Sequence, residues 1–239
     1  MFGWRLARAA IFPPYEWREL IRQCDGIGAK SLPLVAVAGA ATGVVLSLEA
    51  RDSLMRFGAK SFLPAVIVFS MIKETGPIIT ALVVTGRAGA GIGAEIGSMK
   101  VTEQIDAMEA SAVDPYKYLG ATRVIACTLM LPLLTIAADF IGIAMAWITA
   151  MLSEPISLRF FFETGFRDAK FSDLIPPIVK TSVFGTIIGL VASFQGMRTQ
   201  GGTEGVGRTA TSSVVLSSLF VILADVVLVR LMLMIWPFE

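Results

Sequence analysis

The chain has 239 residues, of which 55% are hydrophobic and only 16% charged, and its mean hydropathy is +0.73. Soluble domains carry about 45–50% apolar and about 25% charged residues, so the composition points to a chain whose solvent is lipid. Twenty Lys and Arg against nineteen Asp and Glu leave no case for a nucleic-acid binder. There is no histidine, which removes His-based proton transfer, Ser-His and Cys-His nucleophile pairs and His-containing metal sites. Cys24 and Cys127 lie far apart in unlike segments and signal neither a disulfide framework nor a CxxC metal site.

At the N-terminus, Arg5 and Arg8 are followed by Pro13-Pro14 and a charged stretch. That is not a secretory signal, and the chain is expected to insert through its own first span and remain uncleaved. From Tyr15 to Ile27, Trp17, Leu20, Ile21, Cys24 and Ile27 recur at helical spacing, opposite Glu16, Arg18, Glu19, Arg22 and Gln23. The pattern predicts an amphipathic helix lying in the membrane interface. An ordinary surface helix would show the same pattern, and the position just before the first span favours the interfacial one. Residues 1–30 are read as this N-terminal segment and 31–239 as a five-helix membrane domain.

A membrane helix needs about 20 mainly apolar residues. Five stretches qualify: Ser31–Leu48, Phe62–Val84, Val124–Ala150, Ile175–Phe194 and Val214–Trp236. Eleven basic residues before span one and between spans two and three and four and five face six on the opposite side. This bias places the N-terminus in the cytoplasm and the C-terminus outside.

The stretch Thr85–Arg123, on the cytoplasmic side, opens with TGRAGAGIGAEIG. Gly89, Gly93 and Gly97 stand four residues apart, near one helix face, where they allow another backbone to approach. A Walker A loop needs a Gly-Lys-Ser/Thr ending, which the chain lacks, and the loose GxGxxA matches at Gly89 and Gly205 follow no plausible buried strand. Next, Val101, Ile105, Met108 and Ala112 form an apolar stripe, with Glu103, Asp106 and Glu109 off it and Asp114-Pro115 as the stop. A solvated helix resting on its own bundle and a helix gripped by another protein both fit. Between spans three and four, Phe160, Phe161, Phe162, Phe166 and Phe171 crowd a segment expected on the outer interface or against a partner.

Six ionisable residues fall inside the predicted spans: Lys73, Glu74, Asp139, Lys180, Asp225 and Arg230. Such charges are costly, about +2.5 to +3.5 kcal/mol each on insertion scales, and mark a bundle interior or transport path. Lys180 and Arg230 are near span ends and are expected to snorkel. Lys73 and Glu74 are mid-span, and the following Gly76-Pro77 is expected to interrupt the helix, a common element of transport sites. Adjacent residues diverge by about 100°, so the two do not pair with each other; mutual neutralisation with Asp139 or Asp225 is the purely structural alternative to a transport site. The contexts Ala-Asp-Phe and Ala-Asp-Val resemble neither the YD nor the GxGD of aspartyl intramembrane proteases.

KETGPIITALVVTGRAGAGIGAEIGSMKVTEQIDAMEASAVDP, from Lys73 to Pro115, resembles the core of the MlaE/YrbE family, the permease subunits of MCE-type lipid ABC transporters. Leu131-Pro132-Leu133, KTSVFG at Lys180–Gly185 and GGTEGVGRTAT at Gly201–Thr211 agree in the same order. The resemblance covers roughly Ser31 to the C-terminus. It implies an all-α integral membrane protein with an interfacial helix, five spans and a cytoplasmic coupling helix between spans two and three. It implies a homodimer in the bacterial inner membrane, without an ATPase or metal site of its own. ATP and Mg would sit on a cytoplasmic ABC ATPase docked at Glu95, Glu103, Ile105, Asp106, Met108 and Glu109. Beyond the membrane it implies an MlaD-like ring of MCE-domain subunits, with the Phe160–Phe171 loop as contact, and a small STAS-like accessory subunit. The substrate implied is phospholipid, moved between inner and outer membranes through a pathway to which Lys73, Glu74, Asp139 and Asp225 are assigned. Lys73 stands where the family carries Arg or Lys, and a lysine lacks the fork that grips a phosphate twice. An ion-coupled secondary carrier, using Glu74, Asp139 and Asp225 as a proton relay, is the alternative, against which stand the odd span number and the absent repeat.

Overall fold

In hydrocarbon every backbone polar group needs an internal partner, so long apolar runs become helices. The computed structural model describes residue 6 and residues 16–153, 156–167 and 175–235, and among these the regular structure is entirely helical. Among the described residues five helical runs are long and apolar enough to cross a membrane, matching the five expected spans in order.

Helix α1 (Trp17–Ile27) precedes the first span, α2 (Leu32–Arg56). After the 3-10 turn Lys60–Phe62, the second span contains α3 (Leu63–Ser70), a π turn (Met71–Thr75) and α4 (Gly76–Val84). It continues through a second π turn (Thr85–Gly89) into α5 (Ala90–Val101). The 42 residues from Lys60 to Val101 are about twice the number that spans the ~30 Å hydrocarbon core, so the less apolar α5 end is left outside it. The short α6 (Gln104–Ala110) follows. A third π turn (Tyr116–Ala121) leads into α7 (Thr122–Ser153), then come α8 (Leu158–Gly165), α9 (Ile175–Met197) and α10 (Gly202–Ile235).

These helices gather into two compact units. The first comprises Met1–Ser31, Ala81–Leu131 and Ser182–Glu239, the second Leu32–Thr80 and Pro132–Thr181. In the first unit α5 lies on α10 through its glycines. A methyl at Gly93 would collide with the Ser213 hydroxyl, and one at Gly97 would come within 2.6 Å of Thr199 Oγ1. Gly89 has ordinary room, so the glycine stripe closes tightly at two of its three positions. What it meets is mostly hydroxyl side chains, where a backbone was expected. In the second unit α2 turns a stripe of Val35, Gly39, Gly43 and Ser47 inward. Gly39 and Gly43 bring α2 onto the carbonyls of Ala138 and Gly142 in α7, and Ser47 Oγ donates to Ala146 O at 3.1 Å. Small residues at a helix contact replace the hydrophobic drive that lipid removes. Beside this contact Leu63, Ile67, Val68, Met71, Ile143 and Phe161 form a buried cluster.

Three expectations change in detail. Helix α1 forms, but its apolar residues do not share a packed face: Trp17 and Ile21 are exposed while Glu19 is buried and accepts from Gln23 Nε2 at 2.7 Å. An outward Trp and Ile beside Arg18 and Arg22 suits an interfacial helix better than a surface helix seated on its apolar side. The stripe from Val101 to Ala112 is not one helix. Glu103 adopts a left-handed conformation (φ 59°), so Val101 ends α5 and only Ile105 and Met108 lie on α6. Ala112 (φ 60°) then caps α6 with a Schellman pair, Val113 N donating to Met108 O and Ala112 N to Glu109 O, both at 3.0 Å. Finally, Gly76-Pro77 does not break the second span. The ladder widens into the Met71–Thr75 π turn ahead of it and the chain stays helical.

Candidate functional site

Pro77 has no N–H to return to the preceding turn, which leaves a carbonyl there short of a donor. The π turn absorbs this and turns Glu74 towards α9, where Lys180 Nζ lies 2.8 Å from Glu74 Oε2 and 3.5 Å from Lys73 O. Lys180 is therefore not a snorkelling residue: 1% of its side chain is exposed, against 47% for Glu74. The prolines Pro176-Pro177 start α9 only a turn before it, and its ammonium turns inward to the π turn. Glu74's counter-charge is thus Lys180. Lys73 points elsewhere, as expected of adjacent helix positions, with its Nζ 5.0 Å from the centroid of the Phe69 ring.

Asp139, on α7, is buried. Its Oδ1 has no hydrogen-bond partner among the described residues and presses on Gly76, where any Cβ would overlap it. A glycine is required at 76 for that approach. Asp139 also lines a half-open cavity of about 290 Å³, walled by Ile72, Ile136, Phe140, Ile143, Phe162 and Pro177. Glu74, Lys180 and Asp139 all lie in the second unit. Asp225 is buried on α10 in the first unit, and Arg230 is exposed.

In the first unit, Glu103, Asp106 and Glu109 are exposed and Ile105 is buried, so α6 offers an acidic outer face. Asp106 Oδ1 binds Lys100 Nζ at 2.8 Å. That hydrogen bond, more than the nearby acidic charges, holds the Lys100 ammonium above its ordinary pKa. Glu95 Oε1 reaches Arg123 Nη2 at 3.0 Å, while Arg123 Nη1 donates to Leu119 O at 2.9 Å. Arg123 is buried, so one carboxylate oxygen of Glu95, assigned to docking, is already engaged within the chain. Arg87 Nη1 donates to Gly26 O (3.0 Å) and Ser31 Oγ (2.9 Å), fixing the end of α1 to the second π turn.

The phenylalanine segment divides. Ser157 caps α8, accepting from Phe160 N at 3.2 Å. Phe161 is fully buried in the core, so it is unavailable to a partner, contrary to its assignment. Phe160 and Phe166 are exposed and Phe162 stacks on Phe166 with centroids 6.0 Å apart; Phe171 lies outside the described residues. Sequence reasoning missed the Lys180 partnership, the three π turns and the Arg87 clamp. An opposite charge on another span was the one available signal for Lys180.

A family model described as Permease MlaE matches residues 20–231. A probable ABC transporter permease of Rickettsia typhi is 35% identical over 97% of this chain and 90% of its own length. A probable ABC transporter permease of Synechocystis is 33% identical over 90% and 82%. The Arabidopsis thaliana chloroplast protein TRIGALACTOSYLDIACYLGLYCEROL 1 is 32% identical over 89% of this chain and 61% of its own. With five membrane-length helices and a family match over nearly the whole chain, the protein belongs to the MlaE family of ABC transporter permeases, multi-pass membrane subunits that work with an ATPase partner.

Proposed function

We propose that this chain is the permease of an ABC transporter that moves phospholipid between the inner and outer membranes. Two copies form the pathway, with the N-terminus cytoplasmic and the C-terminus periplasmic. The ATPase partner holds ATP and Mg and grips α6 by its acidic outer face. An MCE-domain ring on the other side receives the lipid, with Phe160, Phe162 and Phe166 as its candidate contacts, and a small STAS-like subunit completes the assembly. The observation that carries the lipid reading is the second unit itself: apolar walls around a half-open cavity, with Glu74, Lys180 and Asp139 set at membrane depth. Charges there are costly and are retained where a substrate passes. The Arabidopsis relative, whose name is that of a lipid, supports the same class. That the relatives are ABC transporter permeases weighs against an ion-coupled carrier.

The chain purified with its ATPase from native membranes is expected to carry phospholipid, identified by mass spectrometry, and to show hydrolysis stimulated by added phospholipid. Absence of both ends the proposal. Activity that survives ATP depletion but collapses with the proton gradient would restore the carrier.

A further inference from the structure

One side chain joins the end of α1 to the second π turn. Helix α1 ends at Ile27, and the carbonyls of its last turn have no partner along the helix. No basic residue of α1 lies in that turn. Arg87, from the π turn Thr85–Gly89, stands there instead. Its Nη1 donates to Gly26 O at 3.0 Å and to Ser31 Oγ at 2.9 Å, and Ser31 is fully buried. The helix dipole and charge-assisted hydrogen bonds both favour a guanidinium at a helix C-terminus. Within α1 only Glu19 and Ile27 are buried, so packing fixes little of the helix and the clamp bears on its end. The turn that carries Arg87 is where the α ladder widens between α4 and α5. Thr85 Oγ1 is buried there without a hydrogen-bond partner among the described residues, which costs free energy. Gly86 beside it has open space in place of a side chain. A π turn of this kind is a point where a span can change its winding, and α5 leads on from it to α6.

We infer that Arg87 makes the end of α1 and this π turn one conformational unit, so that a movement of α5 reaches the interfacial helix. Both parts lie in the first unit. The inference does not rest on the lipid reading, and its test needs no partner subunit.

The test is amide hydrogen exchange of the full chain in phosphatidylcholine nanodiscs, read by mass spectrometry on peptides covering residues 17–31, 81–92 and 122–150. Arg87→Gln removes the charge and should speed exchange roughly tenfold in the first two, as loss of a hydrogen bond to a charged group implies. Unchanged exchange in the third reports that the bundle is still folded. Ser31→Ala takes away one acceptor without touching the second span, and it decides the matter even where Arg87→Gln does not fold. It should speed exchange severalfold in residues 81–92 as well as in 17–31, because a linked pair responds from either end. A rise confined to residues 17–31 in the Ser31→Ala chain marks Arg87 as a simple helix cap and overturns the inference, as does unchanged exchange in both peptides.

Discussion

Lys180 in the second unit and Arg123 in the first are matched in design and opposed in wiring. Each has 1% of its side chain exposed, and each meets a carboxylate about half in the open, 47% for Glu74 and 52% for Glu95. Each also reaches a backbone carbonyl, and here they part. Arg123 donates to Leu119 O four residues back on its own helical run, so much of its satisfaction is local. Lys180 finds both partners on the π turn of another span, at Glu74 Oε2 and Lys73 O. A point charge with three rotatable donors accepts whatever the neighbouring turn presents, whereas a planar fork divides itself between two fixed acceptors. The lysine's contacts named here therefore all cross to another span, whereas the arginine crosses to Glu95 on α5 and also stiffens its own helical run.

The largest effect should come from Glu74→Lys, which faces two ammonium groups inside the second unit. Monodisperse protein in detergent should be lost, and the exchange Glu74→Lys with Lys180→Glu should recover most of it. No recovery would show that the backbone contact at Lys73, rather than the charge pair, decides. Glu74→Gln should cost about 3–5 kcal/mol in mixed-micelle unfolding, since it strands a buried cation. Lys180→Gln should cost less, because Glu74 can hydrate through its open half; equal costs would break the asymmetry. Arg123→Lys should cost about 1–3 kcal/mol, one of its two hydrogen bonds being lost. The smallest effect belongs to the exposed pair Lys100–Asp106. Asp106→Asn should change stability by under ~1 kcal/mol and less still in high salt. The Lys100 pKa is raised, so this pair's contribution is present below the ordinary lysine value and is lost as pH rises through the raised one. A melting temperature measured across that range checks the sign.

Several features were legible because they depend on local composition. Apolar run length marked the five spans, glycine spacing marked the tight face of α5, and helical periodicity marked α1. The divergence of Lys73 from Glu74 followed from the rise and rotation of one residue. What failed did so where a second element decides. Lys180 looked like a residue that reaches for water, since its distance from a span end says nothing of the helix packed over it. Phe161 looked like its neighbours Phe160 and Phe162, since a run of identical side chains does not tell which one the cluster of Leu63, Ile67 and Val68 will cover. The stripe from Val101 to Ala112 read as one helix because apolar spacing is blind to a single left-handed residue at Glu103.

Low charge and long hydrocarbon runs determined by themselves that the chain is an all-helical membrane protein, because these act through solvation and each helix satisfies its own backbone. Which charges neutralise each other was decided only by tertiary structure. A proline at 77 and a π turn before it rotate Glu74 onto Lys180, and Gly76 lets Asp139 in close without a donor. Pairing at membrane depth depends on distances of a few ångströms between different spans, and no periodicity along one chain encodes those.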